Sequence, residues 1–147
     1  MWREGLGLAL IAWILNAAAL TFGAGLSAAA LINPNWVARL VRLKADGEGG
    51  FAEFRATYGG VLLGLHGAAL VLSLHWILFG YTTIGLYAAG AAGVLAAGWA
   101  GAAGGRLLSM VLDRTRTRLN VTSAIVEAVM ALLIASPWLA WRFHGMG

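Results

Sequence analysis

Glu127 is the residue of this sequence best suited to chemistry, because it is ionisable and lies inside a long apolar run. A charged group is costly inside a membrane, so such a residue is a functional candidate by default. Asn120, Ser123 and Glu127 fall on one face of a helix by their spacing of three and four residues. A carboxyl group on such a polar face can carry a proton or hold a small polar head group.

Arg55, Tyr58 and His66 form a second candidate group, at the start of an earlier apolar run. Arg55 and His66 share a helical face, with Tyr58 at its edge. At about 1.5 Å per residue, Glu127 lies roughly 9 Å and His66 roughly 14 Å deep, so we expect Glu127 to contact His66 or Arg55. Such a pair predicts either a ligand or proton site or a structural clasp that fixes helix register. A protonated Glu127 is a third alternative.

The other polar residues of the apolar runs favour structural roles. Asn16 lies near the middle of the first run, where an interhelical hydrogen bond is the expected use of its amide. His75 follows His66 by nine residues and so lies on the opposite helical face, and one helix cannot offer both to a metal ion or haem. The chain has no cysteine. We therefore predict no metal site and no cofactor.

The composition of the chain indicates which solvent surrounds these residues. Hydrophobic residues make up 61% of the 147 residues, and charged residues make up 11%. A soluble domain carries about 25% charged residues. A core of this size cannot hide so much apolar surface, so lipid must cover the rest. Seven tryptophans fit anchoring at a membrane interface.

Four apolar runs are long enough to cross a bilayer, which takes about 20 residues. They cover residues 6–32, 58–79, 82–103 and 121–141. The Asn33-Pro34-Asn35 turn ends the first, and residues 36–43 then predict a short helix in the interface. The predicted fold is all-α, a single transmembrane domain over residues 1–147 built as an antiparallel four-helix bundle.

The basic residues predict the orientation of this bundle. Two connecting segments hold nearly all of them, whereas the opposite side holds only Arg3 and Arg142. The positive-inside rule then places both connecting segments in the cytoplasm and both termini outside. A cleaved signal peptide ending near residues 27–30 is the rival interpretation, and it would carry basic residues across the membrane. The eight basic residues of the connecting segments are Arg39, Arg42, Lys44, Arg55, Arg106, Arg114, Arg116 and Arg118.

Small residues at a spacing of four predict how the helices pack, since helices in lipid associate through close backbone approach. We expect the third span to be central and packed closely on the second. A composition biased by a GC-rich genome is the alternative explanation. The predicted packing residues are Gly60 and Gly64 on the second span, and Gly85, Ala89, Gly93, Ala97 and Gly101 on the third.

Charged residues also cluster where the third span ends. Arg106 and Asp113 share a face two turns apart, and Asp113 can meet Arg116 at a spacing of three. The arginines near this end suit anionic lipid head groups. The predicted partners are the lipid bilayer, an anionic lipid or small hydrophobic ligand, and a second copy or another subunit of a membrane complex. No nucleic-acid partner is expected, because membrane topology explains the basic residues.

The segment Glu53-Phe54-Arg55-Ala56-Thr57-Tyr58-Gly59-Gly60, together with residues 106–113 and Glu127, resembles a family of small four-helix bacterial membrane proteins, domain of unknown function 4345. The resemblance covers nearly the whole chain. It implies a multi-pass protein of the bacterial inner membrane with both termini periplasmic. It also implies that Arg55, Tyr58, Arg106, Asp113 and Glu127 gather near the cytoplasmic face. The family brings no activity with it.

Three function hypotheses follow from the sequence. The first is a non-enzymatic accessory or assembly subunit, or a binder of lipid or another small hydrophobic ligand. The second is a proton-linked transporter that works as a homo-oligomer. The third is a small membrane enzyme in which Glu127 and His66 act as acid and base on a lipid-soluble substrate. Whether the chain is an enzyme stays open, and the first hypothesis is favoured because no nucleophile set or metal motif is present.

Overall fold

A computed structural model describes residues 2–80 and 82–144, without the side chains of residues 2–6, 48 and 141–144. The side chains of Arg3 and Arg142, on which the orientation count draws, lie outside the described residues. The described residues form helices and short connections, with no strand among them. The elements are α1 (Trp2–Ile32), α2 (Pro34–Val41), α3 (Gly47–Glu53), the π-helical segment π1 (Phe54–Val61), α4 (Leu62–Phe79), α5 (Thr82–Leu112) and α6 (Arg118–His144).

Four helical stretches are long and apolar enough to cross a membrane, as the sequence predicts. They run over Gly7–Ile32, Gly49–Phe79, Thr82–Leu112 and Arg118–Ala140. The second begins before Tyr58 and the third continues past residue 103, so both are longer than predicted. Hydropathy marks only the apolar part of a helix, whereas glutamate and arginine are themselves good helix formers. The connection between α5 and α6 therefore shrinks to residues 113–117.

The short helix α2 begins and ends with well-defined caps. The Asn33 side chain accepts a hydrogen bond from the Trp36 backbone N–H at 3.1 Å, and Pro34 occupies the first turn. At the other end Arg42 adopts a left-handed conformation with φ of 59°. The backbone N–H of Leu43 then donates to the Ala38 carbonyl at 3.0 Å. A short helix is present where the sequence predicts one, shifted toward Pro34, and its location in the membrane interface stays a prediction.

The chain divides into two compact units, and each has its own core. Residues 1–19 and 72–147 form the α5–α6 unit, in which α5 packs along α6. There Trp13 stacks on Trp76 with ring centroids 4.6 Å apart, beside buried Ala88 and Ala89. Residues 20–71 form the α2 unit. Its core consists of Ala30, Val37, Ala38 and Phe54, with Trp36, Val41, Ala45 and Tyr58 packed against it.

The buried small residues of α5 follow the predicted line only at its start and then continue along the neighbouring stripe of small residues, which includes Ala88, Ala92 and Ala96. Gly85 and Ala89 are buried, but Gly93 is half-buried and Ala97 and Gly101 are exposed. A spacing of four residues advances by about 40° around a helix at each step, so the predicted line turns away from a straight interface. The residues that stay buried are Gly85, Ala88, Ala89, Ala92, Ala96 and Ala103.

Different glycines from those predicted make the close contacts of the α2 unit. Gly60 and Gly64 are exposed and make no close contact within this unit, and their packing on the third span stays a prediction. Gly59 is buried instead, and a Cβ atom there would lie 2.9 Å from the Leu31 Cα. At Gly23 a Cβ atom would lie 2.2 Å from Cδ2 of His66. Helix-to-helix approach in this unit therefore depends on Gly23 and Gly59.

Candidate functional site

Glu127 forms an ion pair with Arg106, one helix earlier in the α5–α6 unit. The Arg106 Nε donates to both carboxylate oxygens, at 2.7 Å and 2.9 Å. The Glu127 side chain is 11% exposed and that of Arg106 is 37% exposed. The carboxylate is thus held on the protected face of α6 by a cation from α5. Contacts of Glu127 with His66 or Arg55 stay predictions.

The Arg106 guanidinium has donors beyond those used by Glu127. It carries five N–H groups, and only Nε contacts the carboxylate. Among the described residues neither terminal amino group has a protein partner. One edge of the guanidinium therefore has unused hydrogen-bond donors. Chemically, this arrangement fixes two helices and presents hydrogen-bond donors, whereas a general acid or base must exchange its proton.

Two further polar residues lie on the same face of α6 as Glu127, nearer the start of the helix. Asn120 and Ser123 are half-buried on the Glu127 face of α6, in agreement with their spacing. The Asn120 side chain donates to the Thr115 carbonyl at 2.7 Å and so fastens the connection to the helix. Thr117 caps α6, since its hydroxyl accepts from the Asn120 N–H at 3.3 Å.

Asp113 does not join the predicted charge cluster with Arg106. It is exposed, and it forms no ion pair with Arg106 or Arg116 in the part of the chain that the structure describes. Helix α5 ends at Leu112, so Asp113 no longer follows the helical periodicity that would align it with Arg106. The cluster is therefore corrected to the pair of Arg106 and Glu127.

Asn16 is fully buried at the centre of a hydrogen-bond network in the same unit. Its Nδ2 donates to the Ile134 carbonyl at 2.6 Å. Its Oδ1 accepts from the Ser73 hydroxyl at 2.7 Å. The amide joins three helical segments, α1, α4 and α6, and this confirms the predicted interhelical bond. Across the described residues, no buried side-chain nitrogen or oxygen lacks a partner.

Ser136 is a polar residue whose role the sequence reasoning missed. Pro137 lies inside α6 and has no N–H, which deprives the Leu133 carbonyl of its usual helical donor. The Ser136 hydroxyl lies 2.7 Å from that carbonyl and 2.7 Å from the Ala12 carbonyl on α1. A hydroxyl beside a proline in an apolar run is the signal that could have revealed this role.

His66 is a core residue of the α2 unit, with 1% of its surface exposed. Its Nδ1 lies 2.7 Å from the Leu62 carbonyl, so that nitrogen carries the hydrogen and donates it. The ring packs on Gly23, which leaves no room for a side chain. This geometry gives His66 a packing function within its unit.

Arg55 and Tyr58 lie on the π-helical segment and also serve the fold. Arg55 Nη1 donates to the Leu31 carbonyl at 2.5 Å, in the last turn of α1. Such carbonyls have no partner within their own helix, so the guanidinium caps α1. Tyr58 packs on Phe54 with ring centroids 5.6 Å apart. The buried residues of this segment are Phe54 and Gly59, whose separation of five residues is that of hydrogen-bonded residues in a π-helix.

Within the described residues, no group of three or more histidine, aspartate or glutamate side chains is arranged to hold a metal ion. No family model, curated protein or solved structure matches the chain.

Proposed function

We propose that this chain is a non-enzymatic, multi-pass component of the bacterial inner membrane that binds lipid and acts as an accessory or assembly subunit. In this proposal four antiparallel helices cross the bilayer, and both termini are periplasmic. The basic connections then face the cytoplasm. The four apolar helices support the membrane location, and the distribution of basic residues supports the orientation.

The ion pair between Arg106 and Glu127 is the observation that carries the proposal. Glu127 is the best candidate for acid–base or proton chemistry, and its two carboxylate oxygens both accept from Arg106. Loss of either partner would leave an unpaired charge in a largely buried place, so the pair serves to hold α5 and α6 together. The remaining guanidinium donors suit a lipid phosphate. The pair therefore favours structural and lipid-binding roles over catalysis.

The other polar residues of the α5–α6 unit support the same conclusion. The Asn16 amide bonds to the Ile134 carbonyl and to the Ser73 hydroxyl, and the Ser136 hydroxyl bonds to the Ala12 carbonyl. Each of these hydrogen bonds joins two helices, as polar side chains do in membrane proteins. On α5, Ala97 and Gly101 are exposed, and small residues there allow close approach of another membrane helix. A second copy or another subunit of a complex fits such a face.

Purification in a mild detergent followed by native mass spectrometry tests this function. We expect the wild-type chain to retain lipid or a partner subunit. Liposomes that contain the wild-type chain should show no proton flux above empty liposomes. The Glu127→Gln variant should behave the same, with Glu53→Gln as the matched control at an exposed position. Flux that is present in the wild type and abolished by Glu127→Gln alone would contradict the proposal and favour the proton-linked transporter.

A further inference from the structure

An open groove with a volume of about 590 Å³ lies beside the C-terminal end of α2, within the α2 unit. Three basic residues line it: Arg39, Arg42 and Lys44. Leu43 and Phe51 supply apolar surface in the same groove. Neither the proposed function nor the predicted sites assign a role to this groove.

The three cations of the groove have no anionic partner among the residues whose side chains the structure describes. All three are exposed, and none forms an ion pair in the part of the chain that the structure describes. Among the described side chains that line the groove none is a carboxylate, although Asp46 follows closely in the sequence. Like charges held side by side repel one another, so a ligand that carries negative charge is favoured here.

The fold holds these cations in place through the turn that ends α2. Val37 and Ala38 are committed to the core of the unit, so α2 has its polar face outward. The Arg42 N–H bonds back to Ala38 and Arg39, and this fixes the turn. Glycine is the usual residue in the left-handed position of such a turn, since other residues are strained there. The backbone of Arg42 is strained at this position, and its side chain adds a positive charge to the groove.

The apolar part of the groove distinguishes a lipid from a small soluble anion. Leu43 is 54% exposed and Phe51 is 37% exposed, next to the cations. Such a combination matches an amphiphile, whose phosphate contacts the basic residues while its glycerol and upper acyl chain contact the apolar ones. The helix α2 follows directly after the apolar helix α1, so α2 emerges where lipid head groups are present.

We infer that the groove of Arg39, Arg42 and Lys44 binds the phosphate of an anionic phospholipid head group. This inference rests on the membrane location in the proposed function, and it names the lipid class and its site. Arginine suits this task because its planar guanidinium can bond two phosphate oxygens at once. Lys44 adds a mobile point charge at the edge of the groove.

Lipid binding by the full-length chain in a nonionic detergent tests the inference. The test variant is Arg39→Ala/Arg42→Gly/Lys44→Ala, in which glycine keeps the left-handed turn. The matched control is Arg114→Gly/Arg116→Ala/Arg118→Ala, which also removes three charges. Like Arg42, Arg114 has a left-handed backbone conformation, with φ of 56°. Native mass spectrometry measures the affinities for phosphatidylglycerol, phosphatidylcholine and inorganic phosphate.

We expect the test variant to bind phosphatidylglycerol at least about tenfold more weakly than the wild type, because it loses three basic residues that attract an anionic lipid. The control variant should lose clearly less affinity than the test variant, because its arginines attract anionic lipid without a groove, and phosphatidylcholine should bind weakly to all three proteins. Circular dichroism verifies the helical fold. If the triple variant does not fold, Arg42→Gly alone replaces it, and a weaker affinity for phosphatidylglycerol is again expected.

Several outcomes would overturn the inference. Equal losses in the test and control variants would indicate diffuse charge attraction, and equal affinity for phosphatidylcholine would remove the role of head-group charge. Displacement of the lipid by inorganic phosphate at the same concentration would identify a soluble anion as the occupant. If the test variant retains lipid as well as the wild type does, this inference fails while the proposed function stands. If the wild type itself retains neither lipid nor a partner, both fail.

Discussion

In the α5–α6 unit buried polar side chains join one helix to the next, in addition to a close contact of Gly85 with Trp76. In the α2 unit the buried approach of the helices depends on glycines, and the polar bond from Arg55 to the Leu31 carbonyl lies at the exposed end of α1. The first unit contains the ion pair between Arg106 and Glu127 and the bonds of Asn16. The second places Gly23 against the ring of His66 and Gly59 against Leu31. The contrast extends to charge, since Arg106 is paired inside its unit and Arg42 is exposed on the other.

This contrast shows two ways to hold helices together when lipid, rather than water, surrounds them. Burying apolar surface contributes little in lipid, so either hydrogen bonds or van der Waals contact must do the work. Polar bonds specify a particular register, and their loss leaves an unsatisfied group. Close contact at a glycine depends on no polar group, but any side chain introduced at that position would push the two helices apart. The two units should therefore respond to different substitutions.

Removing the Glu127 carboxylate should have the largest effect on stability. Loss of one partner from a buried ion pair costs roughly 3–5 kcal/mol. We expect the Glu127→Ala variant at the lower end of this range, because Arg106 is 37% exposed and can turn toward water or lipid head groups. The measurement is the free energy of unfolding from a titration with sodium dodecyl sulfate in mixed micelles.

A double-mutant cycle separates this pair from a general effect of charge. The Glu127→Ala/Arg106→Ala variant should be more stable than the sum of the two single losses predicts, with a coupling of about 1 kcal/mol or more. Glu53→Ala serves as the control, because Glu53 is exposed and forms no ion pair among the described residues. Additive losses from the two single substitutions would show that the pair contributes nothing as a pair.

Introducing a methyl group at Gly23 should give the next largest effect, now in the α2 unit. The added Cβ atom would lie 2.2 Å from the His66 ring, so the ring or helix α1 must move. Overpacking of this kind costs about 1–3 kcal/mol. Gly25→Ala on the same helix is the matched control, since nothing lies within 4 Å of a Cβ atom there. Equal stability of the two variants would remove close approach as the principle of this unit.

The four apolar helices and a buried acid at Glu127 were predictable from the sequence, and the partner of Glu127 was not. An acidic residue within an apolar run can be identified from the sequence alone. Arg106 was placed beyond the third span because hydropathy falls where charges begin, yet the helix continues to Leu112. The contact of Gly23 with His66 depends on how two helices meet, which spacing along one helix cannot reveal. The π-helical segment could not be predicted either, because eight residues are too few to show a sequence pattern that distinguishes a π-helix from an α-helix.

Replacing Asn16 with leucine should have the smallest of the three effects, although Asn16 is the more completely buried residue. Asn16→Leu removes two neutral hydrogen bonds, and each such bond in a membrane protein contributes about 0.6 kcal/mol on average. We therefore expect a loss of about 1 kcal/mol in the unfolding titration, and about half of that for Ser73→Ala, which removes one of the two bonds. Leucine also fills most of the space of the amide, so no cavity adds to the cost. The order of the polar bonds within the α5–α6 unit depends on this comparison: if Asn16→Leu proved as damaging as Glu127→Ala, burial rather than charge would determine which polar bond holds the α5–α6 unit together.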